Sequence, residues 1–140
     1  MKKRIKVSEI KKMMKENEGK NVTDDDLVAY GISELRDGLT LDKIRTDYSW
    51  LLEATIENAT LGETLYGLMW YSGIWKNGDW HDGTWYKGHW HDGNWHSGAW
   101  LNGTWEDGHW KKGKWFDGTW KKGYWENGTW KSSETHPNDR

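Results

Sequence analysis

The second half of the chain sets one large apolar residue among four small or polar ones, and it does so without a break. Trp falls at every fifth position: Trp70, Trp75, Trp80, Trp85, Trp90, Trp95, Trp100, Trp105, Trp110, Trp115, Trp120, Trp125 and Trp130. From Gly73 to Gly128 a Gly stands two residues before the next Trp. The unit is therefore Gly-x-Trp-x-x, repeated twelve times over residues 73–132. Such a period predicts a repeat architecture, in which each unit buries its apolar side chain only by stacking on its neighbours. The three remaining positions of each unit are mostly Lys, Asp, Asn, His, Thr and Glu, which suits an outer surface.

Upstream the pattern is helical. Ser8 is placed to cap a helix running to about Glu16, with Ile10, Met13 and Met14 on one face and Gly19 at its end. Thr23 and the acids Asp24, Asp25 and Asp26 precede Leu27, Val28, Ile32 and Leu35, predicting a second helix that stops at Gly38. A third is predicted from Thr40, with Leu41, Ile44 and Tyr48 in register. Two helices joined by the turn Asp37–Thr40 have the outline of a helix-turn-helix. The second is poor in Lys and Arg, so a cap over the repeat array is the expected role.

From Ser49 a small residue precedes a large one by two places, in Ser49-Trp-Leu51, Ala54-Thr-Ile56, Ala59-Thr-Leu61 and Thr64-Leu-Tyr66. Here the chain resembles the pentapeptide-repeat family, whose unit is Ala-(Asp/Asn)-Leu-x-x. The resemblance covers about residues 49–132. It implies a right-handed, four-sided β-helix with four pentads per coil, the large residue and the small residue two before it both facing inward. On that reading residues 1–48 are a helical cap or adaptor and 49–68 an Ala/Leu-type coil. Residues 69–132 form the Trp/Gly array after a phase slip at 69–72, and 133–140 are a disordered polar tail. Replacing Leu by Trp while shrinking Ala to Gly moves volume between adjacent inward sites, which interiors tolerate.

The expected fold class is mainly β: a solenoid of about four coils with a small N-terminal helical cap. Residues twenty apart should then stack at the inter-strand spacing, setting Lys87 under Asp107, Asp92 under Lys112 and His89 under His109. An alternative is a short-strand meander. Asn-Gly, Asp-Gly, Lys-Gly and Ser-Gly pairs are hairpin signals, and hairpins would put every Trp on one face of a single sheet. That sheet would leave an aromatic face uncovered, so the β-helix is preferred.

Composition narrows the function. The chain has 140 residues, a net charge of −2 and no Cys, so disulfides and thiolate chemistry are excluded. No apolar run follows the basic start, and none is long enough for a membrane span, so a cytoplasmic protein is expected. His81, His89, His91, His96 and His109 cluster with Asp82 and Asp92, and His-x-His around Trp90 has the spacing to clasp a metal. Those positions flank Trp and are outward throughout, so surface decoration is the expected reading, with no metal or other cofactor. No nucleophile elbow, phosphate loop or paired-carboxylate motif is present.

The expected function is non-enzymatic: a rigid solenoid for protein–protein interaction or structural assembly, with Trp75 through Trp130 as its core. Short Trp/Gly-pentad proteins of large tailed phages are similar in look, which implies a host-cytoplasm or virion setting. The polar tail lacks an apolar cap, so the open last coil, Trp115, Trp120, Trp125 and Trp130, is the expected interface for a homodimer or a protein partner. One alternative is an inhibitor or regulator of a nucleic-acid enzyme that mimics nucleic acid. It needs an acidic surface, whereas residues 70–131 carry eight Lys against seven Asp and Glu. Another is carbohydrate-like ligand binding by exposed Trp.

Overall fold

The structure, a computed structural model, describes residues 24–140; the helix expected over Ser8–Glu16 lies outside them. Helix α1 (Asp24–Ala29) is short. The chain turns through Tyr30 and Gly31 and runs straight into strand β1 (Ile32–Arg36), so Ile32 and Leu35 sit on a strand and the longer second helix is corrected. β1 pairs in parallel with β2 (Thr55–Thr64), a long-range contact that overrides local helical spacing. With a strand on one side of Asp37–Thr40, the helix-turn-helix outline disappears. Helix α2 (Leu41–Asp47) forms where expected, its Thr40 Oγ1 accepting from the Lys43 N–H at 3.1 Å, with Leu41 and Ile44 buried. A 3-10 turn, Ser49–Glu53, leads into β2.

β2 does not make a coil of pentads. It pairs antiparallel with β3 (Gly67–Asn77), setting Leu61 opposite Trp70 and Ile56 opposite Trp75. Of the expected inward residues, Leu51, Ala54, Ile56, Ala59 and Leu61 are buried, whereas Ser49 is exposed. The fourth unit fails: Leu65 and Tyr66 stand at the hairpin tip, 99% and 91% exposed.

Eleven two-residue strands follow, β4 to β14, each a Trp and the residue before it, from Asp79–Trp80 to Thr129–Trp130. All ladders among them are parallel, which overturns the meander, and the protein is a mainly β solenoid of about four turns. The register is fifteen residues, however. Trp70 pairs with Trp85 and Trp85 with Trp100; Trp75 pairs with Trp90, and Trp80 with Trp95. Each coil therefore holds three pentads, and the four-sided coil with residues twenty apart in contact is corrected. Asp79 is followed upward by Asn94, His109 and Tyr124; Lys87 and Asp107 lie at different corners.

The corner chemistry explains the smaller coil. A three-sided coil turns about 120° at each corner, against about 90° for a four-sided one, which favours a residue free to take positive φ. Gly93 has φ 125°, and a Cβ built on it would lie 2.2 Å from the Gly78 carbonyl oxygen one coil below. Gly is thus required by conformation and by the closeness of successive coils. The Asx-Gly pairs serve these corners rather than hairpins: Asp92 Oδ1 accepts from Gly93 N–H at 2.8 Å, and Asn77, Asp82, Asn102, Asp107, Asp117 and Asn127 repeat the bond. Asp92→Ala is expected to cost about 1 kcal/mol in denaturant unfolding.

The interior is a column of Trp triangles. Trp85, Trp100 and Trp115 stack at ring-centroid distances of 4.8 and 4.7 Å with planes within 7°. Within a coil, Trp95 and Trp100 meet edge to face at 5.8 Å and 71°. Both values follow from one tilt. Three planes related by three-fold symmetry cross at about 71° when each is tilted by about 42°, and a 4.8 Å rise then leaves about 3.6 Å between stacked planes, aromatic contact distance. The strand spacing and the indole thickness are therefore met together. Some indole N–H groups also tie coils: Trp90 Nε1 donates to the Asp107 carbonyl at 3.1 Å, and Trp80, Trp100 and Trp105 do likewise.

Candidate interaction faces

Three flat sides follow from the three Trp columns. Trp75 through Trp115 are fully buried and Trp120 and Trp125 are 3% exposed, so the ligand-binding alternative that needs outward Trp is overturned. The function must lie in the residues flanking each Trp, and in the two ends.

The side over Trp75, Trp90, Trp105 and Trp120 is charged. Glu106 Oε1 sits 3.2 Å from Lys121 Nζ and 2.9 Å from His89 Nε2. The Lys121 hydrogen bond leads the effects that hold the Glu106 carboxyl below its usual pKa. Lys76 pairs with Glu57 at 2.8 Å and Lys122 with Asp107 at 3.7 Å. His89 and His91 lie together here, ring centroids 4.4 Å apart.

The side over Trp80, Trp95, Trp110 and Trp125 is mixed. Asn94 Nδ2 donates to Asp79 Oδ1 at 2.8 Å, His109 Nε2 lies 2.8 Å from Glu126 Oε1, and His81 stacks on Trp50. The His cluster is thus divided between two sides, and among the described residues no group of three His, Cys, Asp or Glu is placed to hold a metal.

His96, on this side, has its pKa lowered, first by burial and next by Lys111. The unfolded chain therefore takes up this proton more readily than the folded one. The resulting stability is full above the ordinary His pKa and is lost as pH falls from there through the depressed value. His96→Asn is expected to remove that part of the slope, read from urea midpoints between pH 7.5 and 5.5.

The side over Trp70, Trp85, Trp100, Trp115 and Trp130 differs from the other two. Tyr71, Tyr86, Leu101 and Phe116 form one outward column, with Met69, Thr84 and Ala99 beside it. Tyr86 is 49% and Phe116 39% exposed. At the base the Arg36 guanidinium lies 5.2 Å from the Tyr71 ring centre, and the Tyr71 hydroxyl donates to Asp37. In a five-residue reading these apolar residues look scattered among Lys and His. Reading the positions after Trp at intervals of fifteen would have collected them.

Both ends are covered. Below, Trp50 packs at 5.3 Å against Trp80 and at 6.5 Å against Trp75, and the buried residues of α2, β1 and β2 continue the Trp core. Above, residues 131–140 fold across the last coil, correcting the disordered tail and the open end. Trp130 Nε1 donates to the Glu134 carbonyl at 2.8 Å, Asn138 Nδ2 to the Trp125 carbonyl at 3.2 Å, and Arg140 Nη1 to the Trp120 carbonyl. His136 lies edge-on to Trp125 at 5.1 Å. Of the expected interface, Trp115, Trp120 and Trp125 are buried and Trp130 is half-buried. Polar side chains thus satisfy the Trp120 and Trp125 carbonyls, which the coil above satisfies elsewhere in the array. Removing residues 133–140 is expected to cost about 1–3 kcal/mol and to raise acrylamide quenching of Trp emission.

No helix among the described residues is long and apolar enough to cross a membrane. No family model matches the chain, and neither curated proteins nor solved structures give a match.

Proposed function

We propose that the protein is a non-enzymatic scaffold, a rigid three-sided rod that holds protein partners against its flat sides. A solenoid repeat fold fits a scaffold-type protein. The observation that carries the reading is the division of labour along every pentad: Trp and Gly build the core, and the positions flanking each Trp face away from it. The polar groups most suggestive of catalysis, His89, His109, Glu106 and Glu126, are engaged with one another on open sides. The pattern of mixed charge supports a protein partner over mimicry of nucleic acid. A partner held on a side, rather than at the covered upper end, is the form of assembly favoured here.

The test uses a photo-crosslinking amino acid placed at His91, Lys111 or Tyr86, one per side, in cells that express the protein. The reading expects one protein to be captured reproducibly from one side and displaced by excess unmodified protein. Equal, non-displaceable labelling from all three positions would contradict it.

A further inference from the structure

The side carrying Tyr71, Tyr86, Leu101 and Phe116 is set apart by that outward apolar column, with Tyr86 49% and Phe116 39% exposed. On the other two sides some outward charges find partners within the molecule, as in Lys121–Glu106–His89 and His109–Glu126, while Lys111 and Lys112 have no ion pair among the described residues. On this side Lys87, Lys114 and Lys131 have no ion pair among the described residues. An aromatic column with unpaired cations at its edge is a surface with its complement missing.

The order of residues along the column names the complement. Five coils contribute, with Trp100 in the middle one. Two flat sides pressed together by a two-fold axis that lies in the contact and crosses the rods keep their lateral columns and reverse their coil order. Leu101 then meets Leu101 of the second copy, and Tyr86 meets Phe116. In the neighbouring column, which runs Ser72, Lys87, Asn102, Asp117, Ser132, Lys87 meets Asp117 twice and Asn102 meets Asn102. At the ends Lys131 meets Tyr71, a cation against an aromatic ring. Each exposed charge of the Lys87 column finds its opposite. A parallel pair would instead bring the Lys87 column against the column of Thr84 and Ala99, leaving Lys87 and Asp117 without each other.

We infer that this side is a self-association surface, on which a second copy of the chain packs antiparallel about a two-fold axis at Leu101. The inference deepens the scaffold reading and rests on it, with two rods sharing one side and leaving the charged sides free. The contact is small. A five-residue side is about 16 Å wide and four coil steps about 19 Å high, roughly 300 Å² of flat face per copy, which places the pair among weak, reversible associations.

The test is sedimentation equilibrium of the full chain from about 10 µM to 1 mM, a range suited to such an interface. The wild-type protein is expected to move from monomer toward dimer over that range. Leu101→Arg, which sets a cation against itself at the axis, is expected to abolish the dimer. Lys87→Asp and Asp117→Lys are each expected to weaken it about tenfold, and the double exchange to restore it. Asp117→Lys also loses the bond from the Gly118 N–H, but the double variant carries the same loss, so restoration remains readable. Near-UV circular dichroism of the Trp column confirms that each variant is folded. A monomer at 1 mM, a dimer indifferent to Leu101→Arg, or a double exchange that fails to restore association would each overturn the inference. None of these outcomes bears on partner capture by the charged sides, so the two readings fail separately.

Discussion

Gly93→Ala is expected to destabilise the protein by about 4 kcal/mol or more, among the largest effects open to a single methyl group. Two causes add. The backbone at Gly93 has φ 125°, where an L side chain is strained, and the new Cβ would sit 2.2 Å from the Gly78 carbonyl oxygen and 3.0 Å from the Gly78 amide nitrogen. Those atoms belong to the backbone of the coil below, and that coil is held by its own ladder: the Asn94 N–H donates to the same Gly78 carbonyl at 3.0 Å. Relief therefore means separating coils, which loosens the Trp stack as well. Gly38→Ala is the control, because φ there is 79° with nothing within 4 Å of the added Cβ, so only the conformational cost of about 1 kcal/mol remains. Thermal unfolding checks both, with a drop above about 10 °C expected for Gly93→Ala and a few degrees for Gly38→Ala. Similar drops for the two would mean that coil spacing is not what demands glycine.

Trp100→Ala is expected to cost about 4–5 kcal/mol. Trp100 is fully buried, stacked on Trp85 below and Trp115 above, and edge-on to Trp95 and Trp105. Its removal opens a hole in the middle of the column that flanking rings cannot close without giving up their own stacking. Because a solenoid is held by contacts between successive units, the loss also uncouples the coils on either side. Denaturant unfolding is expected to change from one transition to two, followed by near-UV circular dichroism. Trp50→Ala, at the lower end and only partly buried, is expected to cost about half as much and to leave one transition.

The inward column was legible in the sequence, because a Trp every five residues with Gly two before it leaves few other ways to hide so much aromatic surface. The number of sides was not. A five-residue period is compatible with three pentads per coil or four, and the choice rests on how sharply Gly at positions such as Gly93 lets the chain turn. The stretch Ala54-Thr-Ile56 misled for a related reason. Small-x-large is also the alternation of an ordinary strand, and Ile56 and Leu61 face inward from a hairpin as readily as from a coil. Asp92-Gly93 was ambiguous in the same way, since Asx-Gly serves a solenoid corner as well as a hairpin. Ile32 and Leu35 had helical spacing, and only the distant pairing of Ile32 with Ala59 turns that segment into a strand. The polar cover built by Asn138 and Arg140 was hidden because its contacts are with backbone carbonyls, which no side-chain pattern records.

The apolar side follows from the coil length. Tyr71, Tyr86, Leu101 and Phe116 are ordinary surface residues until the chain is wound three pentads to a turn, and then they form a line. A four-sided winding would place one on each of the four sides and erase the surface. The account of function therefore depends on the fifteen-residue register more than on any single contact.

That register is tested most directly by engineered disulfides, which the absence of native Cys makes simple to read. Thr84 and Ala99 are parallel neighbours fifteen residues apart, and adjacent strands lie about 4.8 Å apart, within disulfide reach. Thr84 and Thr104, twenty residues apart, belong to different sides. The variant with Thr84→Cys and Ala99→Cys is expected to close its bridge on mild oxidation of the folded protein, while that with Thr84→Cys and Thr104→Cys keeps both thiols. Closure of the twenty-residue pair, with the fifteen-residue pair left open, would contradict the three-sided solenoid.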